Sequence, residues 1–183
     1  MMNLPSIRLR AVEPDDAEFM FVSENDEQCI DSSDNIAPLS MRQLTEYALT
    51  YDADPFRAGQ LRMIVENETG LRVGIADLYE ISSLHSRACA AIYIVEPHRR
   101  KGYALAALEA LATYARSRLG LSKIAARILS NNHASMNLFR KAGYKPCAIL
   151  PQWHFASGRF HDMHIFIISL KQKVRLPESK QPI

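Results

Sequence analysis

No apolar run in this sequence approaches the roughly 18 residues that a membrane span needs. The amino terminus has Arg8 and Arg10 but no apolar segment like that of a signal peptide. Cysteine is scarce: Cys29, Cys89 and Cys147 are isolated and odd in number. No Cys-x-x-Cys occurs, so neither a disulfide framework nor a zinc site is supported. Small buried or half-buried thiols are the expectation, which fits a reducing cytoplasm. Neither a Gly-x-x-x-x-Gly-Lys-(Ser/Thr) loop nor a Gly-x-Gly-x-x-Gly turn is present, which disfavours the nucleotide-binding folds built on them. A net charge of +2 is too small to argue for a nucleic-acid binder.

What remains is an ordinary globular composition: 183 residues, 48% hydrophobic and 23% charged, suited to a single domain. Charge is unevenly spread. From Ala11 to Met41 there are nine acidic residues and no Lys or Arg; from Arg99 to Lys145 there are ten basic residues and one acid, Glu109. Two solvated faces of opposite sign explain this. So does a basic half for a polyanionic cofactor with an acidic half for a cationic acceptor.

The chain is organised around residues 92–108. Ile92, Tyr93, Ile94 and Val95 favour a buried strand, which Pro97 ends. Gly102 permits a backbone turn that a Cβ would resist. From Tyr103 onward Leu105, Leu108, Leu111, Ala112, Ala115 and Leu119 recur at helical spacing. A helix starting there leaves its first N–H groups unpaired and aimed at the turn, and its dipole adds to them. Arg99, Arg100 and Lys101 contribute three positive charges. This chemistry predicts a phosphate-bearing ligand seated on backbone amides. A side chain at Gly102 is expected to crowd that cradle.

Elsewhere the pattern predicts a strand at Ile7–Arg10, then a helix from Pro14 to about Asn25 with Phe19, Met20 and Val22 inward. Residues 25–38 read as loop. Ser40 and Gln43 form a capping box for a helix through about Thr50, and 51–59 read as loop again. Leu61–Glu66 and Arg72–Ile81 pair across a turn at 67–70, with Gly74 a bulge or a close backbone approach. Arg87–Val95 is the central strand, and Lys123–Leu129 another. Asn132 opens a helix that places Met136, Leu138 and Phe139 inward and ends at Gly143. Tyr144–Leu150 and Phe160–Leu170 are the last strand pair, joined by 151–159, and 171–183 read as a mobile tail.

Two motifs carry a family resemblance. Arg99-Arg100-Lys101-Gly102-Tyr103-Ala104 resembles the (Gln/Arg)-x-x-Gly-x-(Gly/Ala) signature of the GNAT superfamily of N-acetyltransferases. Asn132, Ser135, Gly143 and Tyr144 match that family's second motif, about 30 residues further on. The opening at Ile7 and the Gly158-to-Asp162 segment are also similar, so the resemblance covers roughly residues 7–170. The polyamine and ribosomal-protein N-terminal acetyltransferases are the nearest branches. The resemblance implies a mixed α/β domain, residues 1–170, with a largely antiparallel sheet flanked by helices. It implies acetyl-CoA as co-substrate, its diphosphate on the amides of residues 99–104 and its pantetheine along Ile92–Val95. Asn132, Ser135 and Phe139 are further expected contacts.

The implied reaction is direct attack of an amine on the thioester, the acceptor being a polyamine, another small amine or a protein N-terminus. No nucleic acid, membrane or metal is called for. His161 and His164 should face opposite sides of a strand, against a metal site. Trp153 and Phe155 read as packing or pocket walls. The oligomeric state stays open, a homodimer being the commonest soluble assembly. In the polyamine branch a tyrosine, the general acid there, stands at Phe139, and Cys89 stands where related sequences often have Glu. Asp77 and Glu80 remain. Glu80 is the candidate base or amine-orienting carboxylate, with a plain exposed strand acid as the alternative. A CoA-binding sensor or interaction module without catalysis is the rival function.

Overall fold

A computed structural model describes residues 4–33, 35, 37–52 and 54–170. Its strands are β1 (Ile7–Ala11), β2 (Gln60–Asn67), β3 (Arg72–Ser82), β4 (Arg87–Ile94), β5 (Lys123–Leu129), β6 (Lys145–Ala156) and β7 (Arg159–Ser169). Its helices are α1 (Ala17–Glu24), α2 (Glu27–Ser32), α3 (Met41–Leu49), α4 (Pro55–Ala58), α5 (Tyr103–Ser117) and α6 (His133–Lys141). One sheet runs in the order β1-β2-β3-β4-β5-β7-β6. Every pair is antiparallel except β4 with β5. This is the single mixed α/β domain that the sequence predicts.

Helices cover both faces. On one, Ala107, Leu108, Leu111 and Ala115 of α5 and Met136 and Phe139 of α6 pack on Met63, Val65, Ala76, Leu78, Ile124 and Ala126. On the other, Met20 of α1 and Leu44 and Ala48 of α3 meet Ile64 and Ile75. Each fully buried Leu or Ile contributes about 1.5–3 kcal/mol. The alternation of β2 is legible in this: Met63 and Val65 face one layer and Ile64 the other, as the two-residue strand period requires. α3 begins as read, with the Ser40 hydroxyl accepting from the Gln43 N–H at 3.2 Å and Gln43 Oε1 accepting from the Ser40 N–H at 2.9 Å.

Several expectations need correction. Residues 25–38 are not all loop: α2 forms on Asp26, whose carbonyl accepts from the Cys29 and Ile30 N–H groups at 2.9 Å. At six residues it is too short to show a helical period. Within 51–59, α4 is one turn started by Pro55 and capped by Asp54, whose carboxylate accepts from the Phe56 and Arg57 N–H groups. Val22 points outward at 62% exposure; Asp16, Met20 and Ser23, at helical spacing, form the inner face. Residues 151–156 continue β6 rather than connecting it to β7. Proline is tolerated there because β6 is an edge strand. The actual turn is Ser157-Gly158, with φ of 49° and 77°, the paired positive values that a two-residue hairpin needs. The expected tail, 171–183, lies outside the described residues.

Candidate functional site

β4 and β5 pair only over Arg87–Cys89 and Lys123–Ala125. Beyond Cys89 they part. β4 continues to Ile94 paired with β3 alone, while β5 is held along its length by β7. The sheet is therefore forked at its centre. Ile92, Tyr93 and Ile94 turn one polar backbone edge toward β3 and leave the other facing the fork. Gly74 shows how close β3 lies to β4 here. A Cβ on it would overlap the Tyr93 carbonyl oxygen and stand 2.6 Å from Ile94 Cδ1. Both alternatives for Gly74 are realised: β3 lies against β4 there, and the β2–β3 register shifts between the Val65–Gly74 and Glu66–Arg72 pairs.

The anion cradle lies at the open end of the fork. Val95 still donates to the Val73 carbonyl at 3.0 Å, and a 3-10 turn at Glu96–His98 follows. The backbone then enters the left-handed region twice, at Arg100 (φ 63°) and Gly102 (φ 90°), before α5 starts at Tyr103. Alternating handedness of this kind turns successive N–H groups inward as an anion-binding nest. Among the described residues no side chain caps α5 at Gly102, which leaves its first-turn N–H groups to a ligand. Arg100 and Lys101 are exposed beside them. A Cβ at Gly102 would sit 3.0 Å from Pro5 Cδ and 3.5 Å from Leu4 Cδ2. It would press on the amino-terminal segment that packs behind the turn.

Arg99 has its side chain turned back along β4. Its Nε donates to the Ile94 carbonyl at 2.8 Å, and its guanidinium stands 5.5 Å from the Tyr93 ring centroid and 3.7 Å from Asp26. It ties the cradle to the junction of α1 and α2. Asn132 caps α6, its Oδ1 accepting from the Ser135 N–H at 3.0 Å. Phe139 is 4% exposed and meets the Tyr144 ring edge-on at 4.9 Å, so it is a core residue rather than an open wall. The Tyr144 hydroxyl is buried with no hydrogen-bond partner among the described residues. Such a group costs about 1–3 kcal/mol.

At the apex of the fork β3 bulges between Tyr79 and Ser82, and Glu80 there has φ 50°. Its carboxylate holds Arg127 of β5 at 2.5 Å and accepts from the Cys89 thiol at 3.7 Å. Burial pushes the Cys89 thiol pKa up, with Arg127 opposing. Asp77, the other candidate acid, is committed elsewhere. Arg62 binds it at 2.7 Å and Glu24 at 2.5 Å, and all three side chains are at most 13% exposed. The far hairpin closes over this side: His154 Nε2 lies 3.0 Å from the Asp31 carbonyl, and the Ser157 hydroxyl donates to Asp31 Oδ2 at 2.5 Å. His161 is buried and receives a hydrogen bond from Arg159, while His164 is only half-buried opposite Ile128 and Ile149. Trp153 and Phe155 are 65% and 62% exposed, so neither belongs to the core, and Phe155 packs edge-on against Phe160 with ring centroids 5.2 Å apart.

The acidic amino-terminal third is partly neutralised by ion pairs. Arg10 and Arg72 hold Asp16, Arg72 also holds Asp15, and Arg62 holds Glu24. Sequence reasoning missed Arg127, Asp26, Asp31 and the Tyr144 hydroxyl. Each gains its neighbours across the sheet or between layers, and no local signal marks it.

The geometry suits a long phosphorylated chain: an amide cradle for its anionic end, a strand edge for its extended part and an apex where its reactive end meets a second ligand. Residues 6–145 match the family described as Acetyltransferase (GNAT) domain. An uncharacterised N-acetyltransferase of Bacillus subtilis, YoaA, is 27% identical over 165 residues, 87% of this chain and 91% of that protein. The spermidine N(1)-acetyltransferase of Vibrio cholerae is 24% identical over 174 residues, 90% of this chain and 94% of that protein. A crystal structure of the spermidine N-acetyltransferase from Vibrio cholerae in complex with CoA and spermine shares the fold. Its TM-score is 0.82 at 24% identity, over 90% of this chain and 95% of that one. With its forked sheet and the family match over most of its length, this chain belongs to the GNAT family and is an N-acetyltransferase.

Proposed function

We propose that this enzyme transfers an acetyl group from acetyl-CoA to a small primary amine, a polyamine being the first candidate. The fork between β4 and β5 carries the reading, because it joins an anion cradle to a strand edge and an apex. The backbone amides of Arg99, Arg100, Lys101, Gly102, Tyr103 and Ala104 hold the diphosphate, and Ile92–Val95 offer a strand edge to the pantetheine. Asn132 and Ser135 at the start of α6 are further contacts. The names of the relatives support a polyamine acceptor; they lend none to a protein N-terminus.

The acceptor enters from the α1–α2 side, beneath the hairpin that reaches Asp31. A primary amine with a pKa near 10.4 is mostly protonated at pH 7, a handicap of about 4–5 kcal/mol toward attack. A carboxylate at the apex offsets part of it by taking the proton, and Glu80 is the group placed there. N–H groups near the end of β4 stabilise the charge that develops on the carbonyl oxygen. The test is thiol release from acetyl-CoA with a panel of amines, spermidine included. Tight acetyl-CoA binding with no release from any amine would overturn the proposal. For Glu80, the Gln variant should lose about 10²-fold or more in kcat. An unchanged kcat would leave Glu80 as the partner of Arg127 alone.

A further inference from the structure

Strand alternation alone would put Glu80 on the wrong face of the sheet. Leu78 of β3 lies in the cluster under α5, and Glu80, two residues on, should follow it there. Instead β3 shifts register between Tyr79 and Ser82, Glu80 takes a φ of 50°, and Ile81 joins that cluster in its place. The carboxylate therefore emerges on the opposite face, where it meets Cys89 and Arg127. Those two residues alternate with Ala88, Ala90, Ala126 and Ile128 of the α5-side cluster, which fixes the side they are on. A left-handed φ is strained for a glutamate and persists only where the surroundings hold it. Bulges of this kind re-aim a side chain beside a reacting centre.

Arg127 is what holds this one. It stands two positions past Ala125, the last β5 residue paired with β4. β3 and β5 are not neighbours, because β4 runs between them. Two strand spacings, about 10 Å, therefore separate the backbones that this ion pair joins. The guanidinium crosses over β4 at the point where the fork opens and reaches Glu80 Oε2 at 2.5 Å. The Cys89 thiol donates to the same oxygen at 3.7 Å. Both contacts fall on Oε2, which leaves Oε1 to take a proton. The Arg127 and Glu80 side chains are 38% and 53% exposed, and a pair so wet adds little to stability. What the fold gains from it is position.

We propose that Arg127 is a positioning residue for the transfer, holding the Glu80 carboxylate at the apex with Oε1 turned to the amine. This rests on the reading of Glu80 as the proton acceptor. Oε1 takes the proton whose loss makes the amine nucleophilic and passes it to solvent. The C–N bond then forms, the C–S bonding pair leaves with the sulfur as CoA thiolate, and the second N–H proton goes to solvent. Arg127 stays charged throughout and touches neither substrate.

The test is Arg127→Met, which keeps the stem and removes the guanidinium. A base displaced by a fraction of an ångström should lower kcat about tenfold, and by no more than Glu80→Gln does, since Arg127 acts only through that residue. KM for acetyl-CoA and CoA affinity by calorimetry should stay within about twofold of the parent, and the melting temperature within about 3 °C. Arg127→Lys, which keeps a cationic donor, should recover most of kcat. In the Glu80→Gln background, Arg127→Met should change kcat less than about twofold, because the group it positions is already gone. A parent-like kcat in Arg127→Met, or the same tenfold loss on top of Glu80→Gln, would overturn the role of Arg127. A parent-like kcat in Glu80→Gln would overturn the base and its positioning residue together. A parent enzyme that releases no thiol with any amine would overturn the transfer reading itself.

Discussion

Replacing Gly102 by alanine separates the two demands made on that residue. Its φ of 90° is one that an L-residue adopts at a cost of about 1–2 kcal/mol. The added Cβ also meets Pro5 Cδ at 3.0 Å, tight enough that the amino-terminal segment must yield. Together these predict a loss of about 1–3 kcal/mol, or roughly 2–10 °C in melting temperature for a chain of this size. The functional consequence follows from how the strain is relieved. If the backbone leaves the left-handed region, the N–H groups of residues 100–104 cease to converge, and the diphosphate loses its seat. CoA affinity by calorimetry should then fall at least tenfold, about 1.4 kcal/mol. Acetyl-pantetheine, which lacks the diphosphate, should be turned over as before. Adding Pro5→Ala should recover part of the stability and none of the affinity. A folded Gly102→Ala enzyme that binds CoA as tightly as the parent would refute the cradle.

Two further outcomes test the frame around the site. For Asp16, burial alone would raise the pKa, but the Arg10 guanidinium, the Glu13 N–H and Arg72 outweigh it and hold it below the usual carboxylate value. A depressed folded-state pKa means stability that is present above about pH 3.9 and is lost as pH falls through the folded value. Asp16→Asn should therefore lower stability at pH 7 by about 3 kcal/mol and flatten the acid limb of a denaturation profile; an unchanged limb would contradict the assignment. Arg62→Met strands Glu24 and Asp77 together at low exposure and should cost about 3–5 kcal/mol in urea unfolding, a loss that Arg62→Met with Glu24→Gln and Asp77→Asn should partly recover.

Much of the fold was legible before any coordinates. Ser40 and Gln43, the Leu105-to-Ala115 spacing and the Asn132 cap are short-range signals, and each produced the helix it predicts. The errors lie where elements are short or where context overrides a breaker. α2 and α4 are too brief to show a period, and Pro151 sits in a strand because that strand has an open edge.

The local backbone chemistry was thus written in the residues themselves. A β-branched strand, Pro97, a basic turn, Gly102 and an amphipathic helix dictate an amide cradle wherever they are placed, because caps and handedness depend on neighbours a few positions away. The fork, the Glu80–Arg127 pair and the hairpin resting on Asp31 belong to the tertiary structure alone. The fork opens between strands whose partners lie 36 positions apart, and the pair and the hairpin join residues 47 and 123 or more positions apart. Only the register of seven strands decides which side chains meet at such distances, and one slipped residue would turn every one of them to the other face.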